Sequence, residues 1–380
     1  MRLEDICTVF TDGDWIESKD QSDEGIRLVQ TGNIGKGIYL EKEARAKYIS
    51  EDTFEKLKCT EIFPGDILVS RLPEPVGRAC IIPDKEERMI TAVDCTICRP
   101  DETVISKEYL CYFMRSNAYY TRLLGSVTGT TRKRISRKNL GNVELDVPSR
   151  EKQNEVVEQL NHLVNVIDSK TRELQLLDDL IQARFVEMFG DPVQNTKGWN
   201  IDTCKNLTSK IGSGATPKGG RESYGTEGIS LIRSMNVYNN RFEYKDLAYI
   251  TDEQADKLSN VTIEENDVLL NITGASVARC CAVPKELIPA RVNQHVAIVR
   301  CKDRLLPEFL CSMFTEDSYQ RLLWSIATSG GATREAITKQ QIEDLVLIVP
   351  PIELQQQFVD FCKQVNKLKL ATSPQTTLTD

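Results

Sequence analysis

Short runs rich in β-branched and aromatic residues, broken by Gly, Pro, Asn and Asp, recur along the first 150 residues at 26–31, 66–70, 78–82, 90–98 and 143–147. That pattern predicts an irregular, mostly antiparallel β domain. Helical segments accompany it at 107–124 and again at 307–324. The strongest helical signal covers 151–189, where Val156, Leu160, Leu163, Ile167, Leu174, Leu177, Ile181 and Met188 fall at spacings of four, three and seven. Such spacing makes a coiled-coil seam, here interrupted by Lys170 and Arg184. Gly190-Asp191-Pro192 stops the helix. At about 1.5 Å per residue it extends roughly 58 Å, more than a globule of this size needs. A partner is predicted near the C-terminus, where Leu354, Phe358, Phe361, Val365 and Leu368 repeat the same spacing.

The hydrophobic pattern is duplicated. Val76-Gly77-Arg78-Ala79-Cys80-Ile81-Ile82-Pro83 returns as Val277-Ala278-Arg279-Cys280-Cys281-Ala282-Val283-Pro284, and Pro64-Gly65-Asp66-Ile67-Leu68 as Glu265-Asn266-Asp267-Val268-Leu269. Upstream, Tyr48-Ile49-Ser50 matches Tyr249-Ile250-Thr251, and Ile26–Gln30 resembles Ile229–Arg233. Downstream, Thr131-Arg132, Ile135-Ser136 and Val147-Pro148 reappear as Thr333-Arg334, Ile337-Thr338 and Val349-Pro350. Landmarks kept in one order at nearly one offset mark an internal repeat. Each half therefore reads as one α+β globule followed by a helix. Equivalent helices after equivalent globules are expected to pack antiparallel about a pseudo-twofold axis.

Length agrees with two domains, since 380 residues exceed one ordinary core. Among 12 cysteines there is a single Cys-x-x-Cys, Cys95 and Cys98, on a strand that would point them to opposite faces. Buried thiols are expected rather than disulfides or zinc. No run approaches the roughly 18 apolar residues of a membrane span, and the opening residues Met1–Asp5 lack a signal-peptide pattern, so the cytoplasm is the expected compartment. The net charge of −8 argues weakly against nucleic acid, but half of it sits in 151–189. Conversely, Arg132-Lys133-Arg134-Ile135-Ser136-Arg137-Lys138 is a basic run without an acid.

Catalytic motifs are missing from the sequence. Neither an Asn-Pro-Pro-Tyr nor an Asp-Pro-Pro-Tyr methyltransferase motif appears, nor a phosphate-binding Gly-x-x-x-x-Gly-Lys-Ser/Thr. Two histidines leave little room for imidazole acid–base chemistry. Gly212, Gly214, Gly219 and Gly220 read as flexible loop backbone, and Pro83-Asp84-Lys85-Glu86 as a solvated turn.

Binding signals are better. In each half a Thr/Ser/Gly loop precedes a short helix: Thr128-Gly129-Thr130-Thr131-Arg132, and Thr328 through Arg334. Hydroxyls, free amides and arginine beside a helix start suit phosphate oxygens. The candidate contacts there are Thr130, Arg132, Lys133, Arg134, Thr333 and Arg334. Loop residues Asn33, Lys36, Arg71, Arg78, Arg233, Asn236, Asn271 and Arg279 are of the types that read base edges.

Three stretches resemble the specificity subunit of type I restriction–modification systems. Ala183 through Pro192, followed by Lys197-Gly198-Trp199, is similar to that family's junction between central helix and second target-recognition domain. Asp146 through Gln153, and Val349-Pro350-Pro351-Ile352-Glu353-Leu354-Gln355-Gln356-Gln357, resemble its entry into the spacer helices. The third is the Ser/Gly/Thr loop running into Ile135-Ser136 and Ile337-Thr338.

The resemblance implies an α+β architecture of two similar mixed α/β target-recognition domains separated by long helices packed as an antiparallel coiled coil. Its boundaries would be 1–148 and 191–350 for the recognition domains, 149–190 and 351–371 for the helices, and 372–380 for a polar tail. It implies double-stranded DNA as target, read in two halves roughly 50 Å apart if one and a half turns separate them. Two methyltransferase subunits, and restriction subunits, would dock on the helices, whose contact residues would be Val156, Leu160, Leu163, Ile167, Leu174, Leu177, Ile181, Phe358 and Val365. The chain itself would be non-catalytic. S-adenosylmethionine, ATP and magnesium would be bound by those partners. The C-terminal helix, about half as long as the central one, would leave the seam partly open or completed by another subunit. Two other readings stay open: a helical scaffold joining proteins without reading DNA, and a nuclease or methylase with cryptic motifs.

Overall fold

The computed structural model of the chain describes residues 1–129, 133–217, 219–329 and 335–372. It divides into two units, Met1–Ile167 and Asp168–Asp380.

In the first unit, strands Cys7–Asp12, Cys95–Pro100, Ile67–Ser70 and Ala79–Ile81 form an antiparallel sheet in that order. A second sheet runs Tyr48–Ile49, Ile26–Val29, Met89–Thr91 and Glu61–Ile62. Its middle pair is parallel, with Arg27 opposite Met89, while the pairs on either side are antiparallel, in keeping with a mostly antiparallel domain. A parallel pair needs a crossover, and residues 30–88 supply it.

Alternation along the strands separates two cores. Ile67 and Val69 pack with Leu110, Tyr119 and Leu140, whereas Leu68 packs with Val29, Ile34 and Met89. Cys98 joins the first of these cores and Cys95 the second, as the period of a strand requires.

The second unit repeats this plan. Thr208–Ser213, Val296–Cys301, Asp267–Asn271 and Cys280–Ala282 form the matching antiparallel sheet. Even the register irregularity of the first strand recurs, between Cys7 and Val9 and between Thr208 and Lys210. Ile229–Ile232 again pairs parallel, here with Arg291–Val292. One buried carboxylate is also duplicated: Asp66 accepts from Arg99 Nε at 2.7 Å, and Asp267 from Arg300 Nε at 2.7 Å. The duplication thus extends from sequence to topology, register and ion pairing.

Three expected elements differ in detail. The run 90–98 is two strands in different sheets, Met89–Thr91 and Cys95–Pro100, parted by a turn. The helix expected at 107–124 is two, Lys107–Phe113 and Asn117–Leu124, because Ser116 caps the second by accepting from the Tyr119 amide at 3.1 Å. Its counterpart divides likewise into Pro307–Thr315 and Asp317–Thr328, with Glu316 as cap. Residues 143–147 form no strand. Only their counterpart does, as Val346–Ile348 against Ile201–Thr203.

The central helix runs Arg150–Phe189, 40 residues, and its closing turn is made by the Gly190 amide donating to Val186 at 2.8 Å. In the first unit its start is fixed by Gln153. That buried amide accepts from the Ser106 N–H at 2.8 Å and donates to the Val104 and Pro148 carbonyls at 3.0 Å each. Gln355 does the same for the C-terminal helix, Ile352–Thr372, with Leu306, Arg304 and Pro350.

Within the second unit these two helices pack antiparallel. Phe358, early in one, stacks edge-on against Phe185 and Phe189, late in the other, with centroids 5.5 and 5.6 Å apart. Phe361 lies under Arg184, Lys369 pairs with Asp178, and Thr372 donates to Glu173 at 3.2 Å. Phe358 and Val365 are buried, and Leu174, Leu177 and Ile181 half-buried. Among the described residues the pairing extends to the contact of Thr372 with Glu173.

Upstream of that point, Leu163 and Ile167 are 55% and 62% exposed. That exposure agrees with the expectation of a seam left partly open by a shorter C-terminal helix. Val156 and Leu160 are half-buried.

Ten of the twelve cysteines are buried, and all are free thiols. Burial pushes Cys80, Cys95 and Cys204 up to about 12, far from the thiolate that reacts. Alkylation of the native protein near pH 8 should modify no more than the half-buried Cys7 and Cys362. All twelve should react in denaturant, as a mass spectrum of each sample would record.

Candidate nucleic-acid interface

Four segments converge at one place in the first unit. The Gly13 amide donates to the Cys95 carbonyl, and the Arg71 amide to Asp94, each at 2.9 Å, while Ile135 donates to Arg71 at 3.2 Å. These bonds gather the exit of the first strand, residue 71 after the strand Ile67–Ser70, the turn at 92–94, and the end of the Thr/Gly loop. A Cβ on Gly13 would stand 2.3 Å from the Thr91 carbonyl oxygen, so the crossing requires glycine.

Arg71 is buried there. Its Nη2 donates to the Val93 carbonyl at 2.5 Å and lies 3.3 Å from the Asp12 carboxylate, while its buried Nε has no hydrogen-bond partner among the described residues. Burial lowers its pKa and Asp12 opposes the shift. Arg134, exposed, pairs with Asp94 at 3.0 Å. Beside them lies an open cleft of about 670 Å³ lined by Glu4, Phe10, Asp12, Ser136, Arg137 and Lys138.

The second unit builds the same frame from different side chains. Gly214 donates to Asn293 at 3.1 Å, Ile272 to His295 at 3.0 Å, and Ile337 to Ile272 at 2.9 Å. A Cβ on Gly214 would lie 1.7 Å from the Val292 carbonyl oxygen. Far from being flexible loop backbone, Gly214 is pinned by that close approach, and Gly212 belongs to the strand Thr208–Ser213. Ile272 stands where the first unit has Arg71, and His295 where it has Asp94. The neighbouring cleft, about 620 Å³, is lined by Lys205, Lys210, Ser213, Asn260, Lys339 and Glu343. Above the frame runs a polar chain: Thr216 to Gln294, Gln294 Nε2 to His295 Nε2 at 3.2 Å, and His295 Nδ1 to Thr273 Oγ1 at 2.6 Å.

Of the residues singled out in the sequence, Arg71 and Arg134 fall in this frame, and Lys133 is exposed next to it. Thr130, Arg132, Thr333 and Arg334 lie outside the described residues.

Four others are corrected. Asn33 accepts from the Gln30 amide and donates to the Leu40 carbonyl, both at 3.0 Å. Asn236 repeats this with Arg233 at 3.1 Å and Glu243 at 2.9 Å. Buried Asn271 donates to Ser234 at 2.8 Å, and Arg78 to Ile34 and Thr31 at 2.7 Å and Leu72 at 2.8 Å. Asn33, Asn236 and Asn271 are buried and Arg78 is half-buried, so meeting a base edge would mean releasing these loop carbonyls and leaving them unpaired. They hold the loops in shape.

Lys36 is exposed, 5.9 Å from the Tyr120 ring centroid. Arg233 and Arg279 are half-buried over Tyr224 and Tyr238, at 5.4 and 4.6 Å. Sequence reasoning missed Asp12, Asp94, Thr216, Thr273, Gln294 and His295. The repeat held the signal, since its offset of 201 sets position 94 against 295 and position 71 against 272.

Among the described residues no three or more His, Cys, Asp or Glu side chains are grouped to hold a metal, and no helix is long and apolar enough to cross a membrane.

Known proteins resemble this chain in sequence and in fold. The family model of the type I restriction modification DNA specificity domain matches residues 1–178 and 197–377. A putative type I restriction enzyme specificity subunit, MjaX, of Methanocaldococcus jannaschii is 21% identical over 96% of this chain and 86% of its own length. The EcoKI specificity subunit of Escherichia coli is 17% identical over 71% of this chain and 61% of its own. In structure, a chain from work on complex assembly and conformational transition of the type I R-M system superposes with a TM-score of 0.57 at 18% identity, covering 98% of this chain and 92% of that one. The S subunit of the type I restriction–modification system from M. genitalium gives 0.55 at 11%, covering 98% and 90%. At such identities the likeness is one of fold.

Proposed function

The chain belongs to the family of type I restriction–modification DNA specificity domains, and from that premise we propose that it is the non-catalytic subunit that reads a bipartite, gapped sequence in double-stranded DNA. Each unit reads one half of the target through its own loop frame. The observation that carries this reading is the frame itself: two backbone hydrogen bonds, residue 71 to 94 and 135 to 71, recur as 272 to 295 and 337 to 272, and the frame carries Arg71, Asp94 and Arg134 in one unit and Thr273, Gln294 and His295 in the other. A constant scaffold with variable side chains is what two readers of unlike half-sites require, since base edges are told apart by donor and acceptor pattern. Basic residues beside the frame, Lys133, Arg137 and Lys138, supply phosphate contacts that fix register.

Modification subunits dock along the central and C-terminal helices. Support comes from the apolar side chains left uncovered there: Leu163, Val166 and Ile167 in the first unit, and Leu176, Leu180 and Leu368 in the second. Exposed apolar surface of this kind marks protein interfaces. The partners carry S-adenosylmethionine and methylate adenine, and restriction subunits bring ATP and magnesium for translocation and cleavage.

Adenine-methylation sequencing of the source genome tests the proposal. A two-part gapped motif should be methylated in cells carrying the gene and lose its methylation when the gene is deleted. Unchanged methylation in the deletion strain would remove the role.

A further inference from the structure

We infer that Gln294 reads an adenine in the half-site bound by the second unit, with His295, Thr273 and Thr216 holding its amide in the reading orientation. The inference rests on the reading of the chain as a DNA-specificity subunit.

Gln294 sits in the turn joining the parallel strand Arg291–Val292 to Val296–Cys301, and it is exposed. The backbone beneath is fixed on three sides, by Gly214 to Asn293, by Ile272 to His295, and by the His295 amide to the Asn293 side chain at 3.0 Å. With Gln294 Oε1 turned to Thr216 and Nε2 to His295, the donors and acceptors run in one direction along the chain. Thr216 donates its hydroxyl to Gln294 Oε1. The Gln294 amide nitrogen donates to His295 Nε2 at 3.2 Å, so the imidazole proton is on Nδ1 and goes to Thr273 Oγ1 at 2.6 Å.

Among the described residues each amide atom of Gln294 is used once and keeps one function in reserve: a lone pair on Oε1 and an N–H on Nε2. Side by side, these match the N6 donor and N7 acceptor of adenine in the major groove, and no other base presents that pair. A glutamine held by a relay pays little rotamer entropy on binding. The first unit has Val93 at the equivalent position, so the two halves differ at this contact.

The experiment is selection of bound duplexes from a randomised DNA pool by the purified full-length chain, for the wild type, Gln294→Ala, Gln294→Glu and His295→Ala. The wild type should return a two-part motif with an invariant A·T pair in one half. Gln294→Ala should lose preference at that pair only, with roughly ten- to hundredfold weaker discrimination against the wrong base. Gln294→Glu should move the preference from adenine to cytosine, whose N4 amino group donates to a carboxylate. His295→Ala should blur the same position and no other, which a merely structural role would not do.

If both Gln294 variants return the wild-type motif, or change the other half-site, the assignment is overturned while the reading of the chain stands. If the wild type itself selects no two-part motif, the functional reading falls, and this assignment with it.

Discussion

A four-residue insertion at about Asp168–Lys170 is expected to lengthen the gap between the two half-sites and leave both half-site sequences unchanged. Four residues add about 6 Å and a little over one turn of helix, so the displaced segment keeps nearly its original face. Base pairs rise about 3.4 Å each, which makes the expected change close to two base pairs. The site suits an insertion, because among the described residues the C-terminal helix pairs from Glu173 onward and the residues at 168–170 are exposed. A two-residue insertion adds half the length and turns the downstream segment by about 200°. It should abolish methylation of any gapped motif. Methylation sequencing of cells carrying each variant reads both outcomes, and altered half-site sequences in the four-residue variant would show that the helix does not set the spacing.

Phe358→Ala should be strongly destabilising. The ring is fully buried, edge-on to Phe185 and Phe189, which themselves pack on Phe309. Truncating a buried phenylalanine costs about 3–5 kcal/mol, a large part of the 5–15 kcal/mol that stabilises a typical protein. Leu370→Ala, on the same helix but 73% exposed, should stay within about 0.5 kcal/mol. Urea denaturation of the two variants makes the comparison. With two units the transition need not be single, so the shift is expected in the phase belonging to the second unit. Equal midpoints for the two variants would mean that the aromatic cluster does not hold the C-terminal helix.

These expectations draw unequally on sequence and structure. Hydrophobic spacing located the central helix to within one residue at its start, 151 against Arg150, because a 40-residue helical period is a local and repeated signal. The boundary at Gly190-Asp191-Pro192 was equally plain. Strands were found where turn formers bounded them, but the segment 90–98 hid a change of sheet at 92–94. That change depends on pairing with Ile26–Val29, a strand some 60 residues upstream. A strand's partners lie outside any local window.

The candidate contacts show the same division. Residue type alone nominated Asn33, Asn236, Asn271 and Arg78 for base reading, yet their donors hold loop carbonyls. His295 and Gln294 drew no notice, as a lone histidine beside a glutamine carries no motif.

By itself, then, the sequence determined that there are two copies of one domain, that a long helix follows the first and a shorter one the second, and where the long helix stops. Period, turn chemistry and offset reside in neighbouring residues, so they are written into the order of the chain. Only the tertiary structure decided how far the two helices pair, which strand pairs run parallel, and which polar side chains are free to meet a ligand. Those properties depend on hydrogen bonds between segments tens to nearly two hundred residues apart, and a donor's availability is known only once its nearest acceptor is in place.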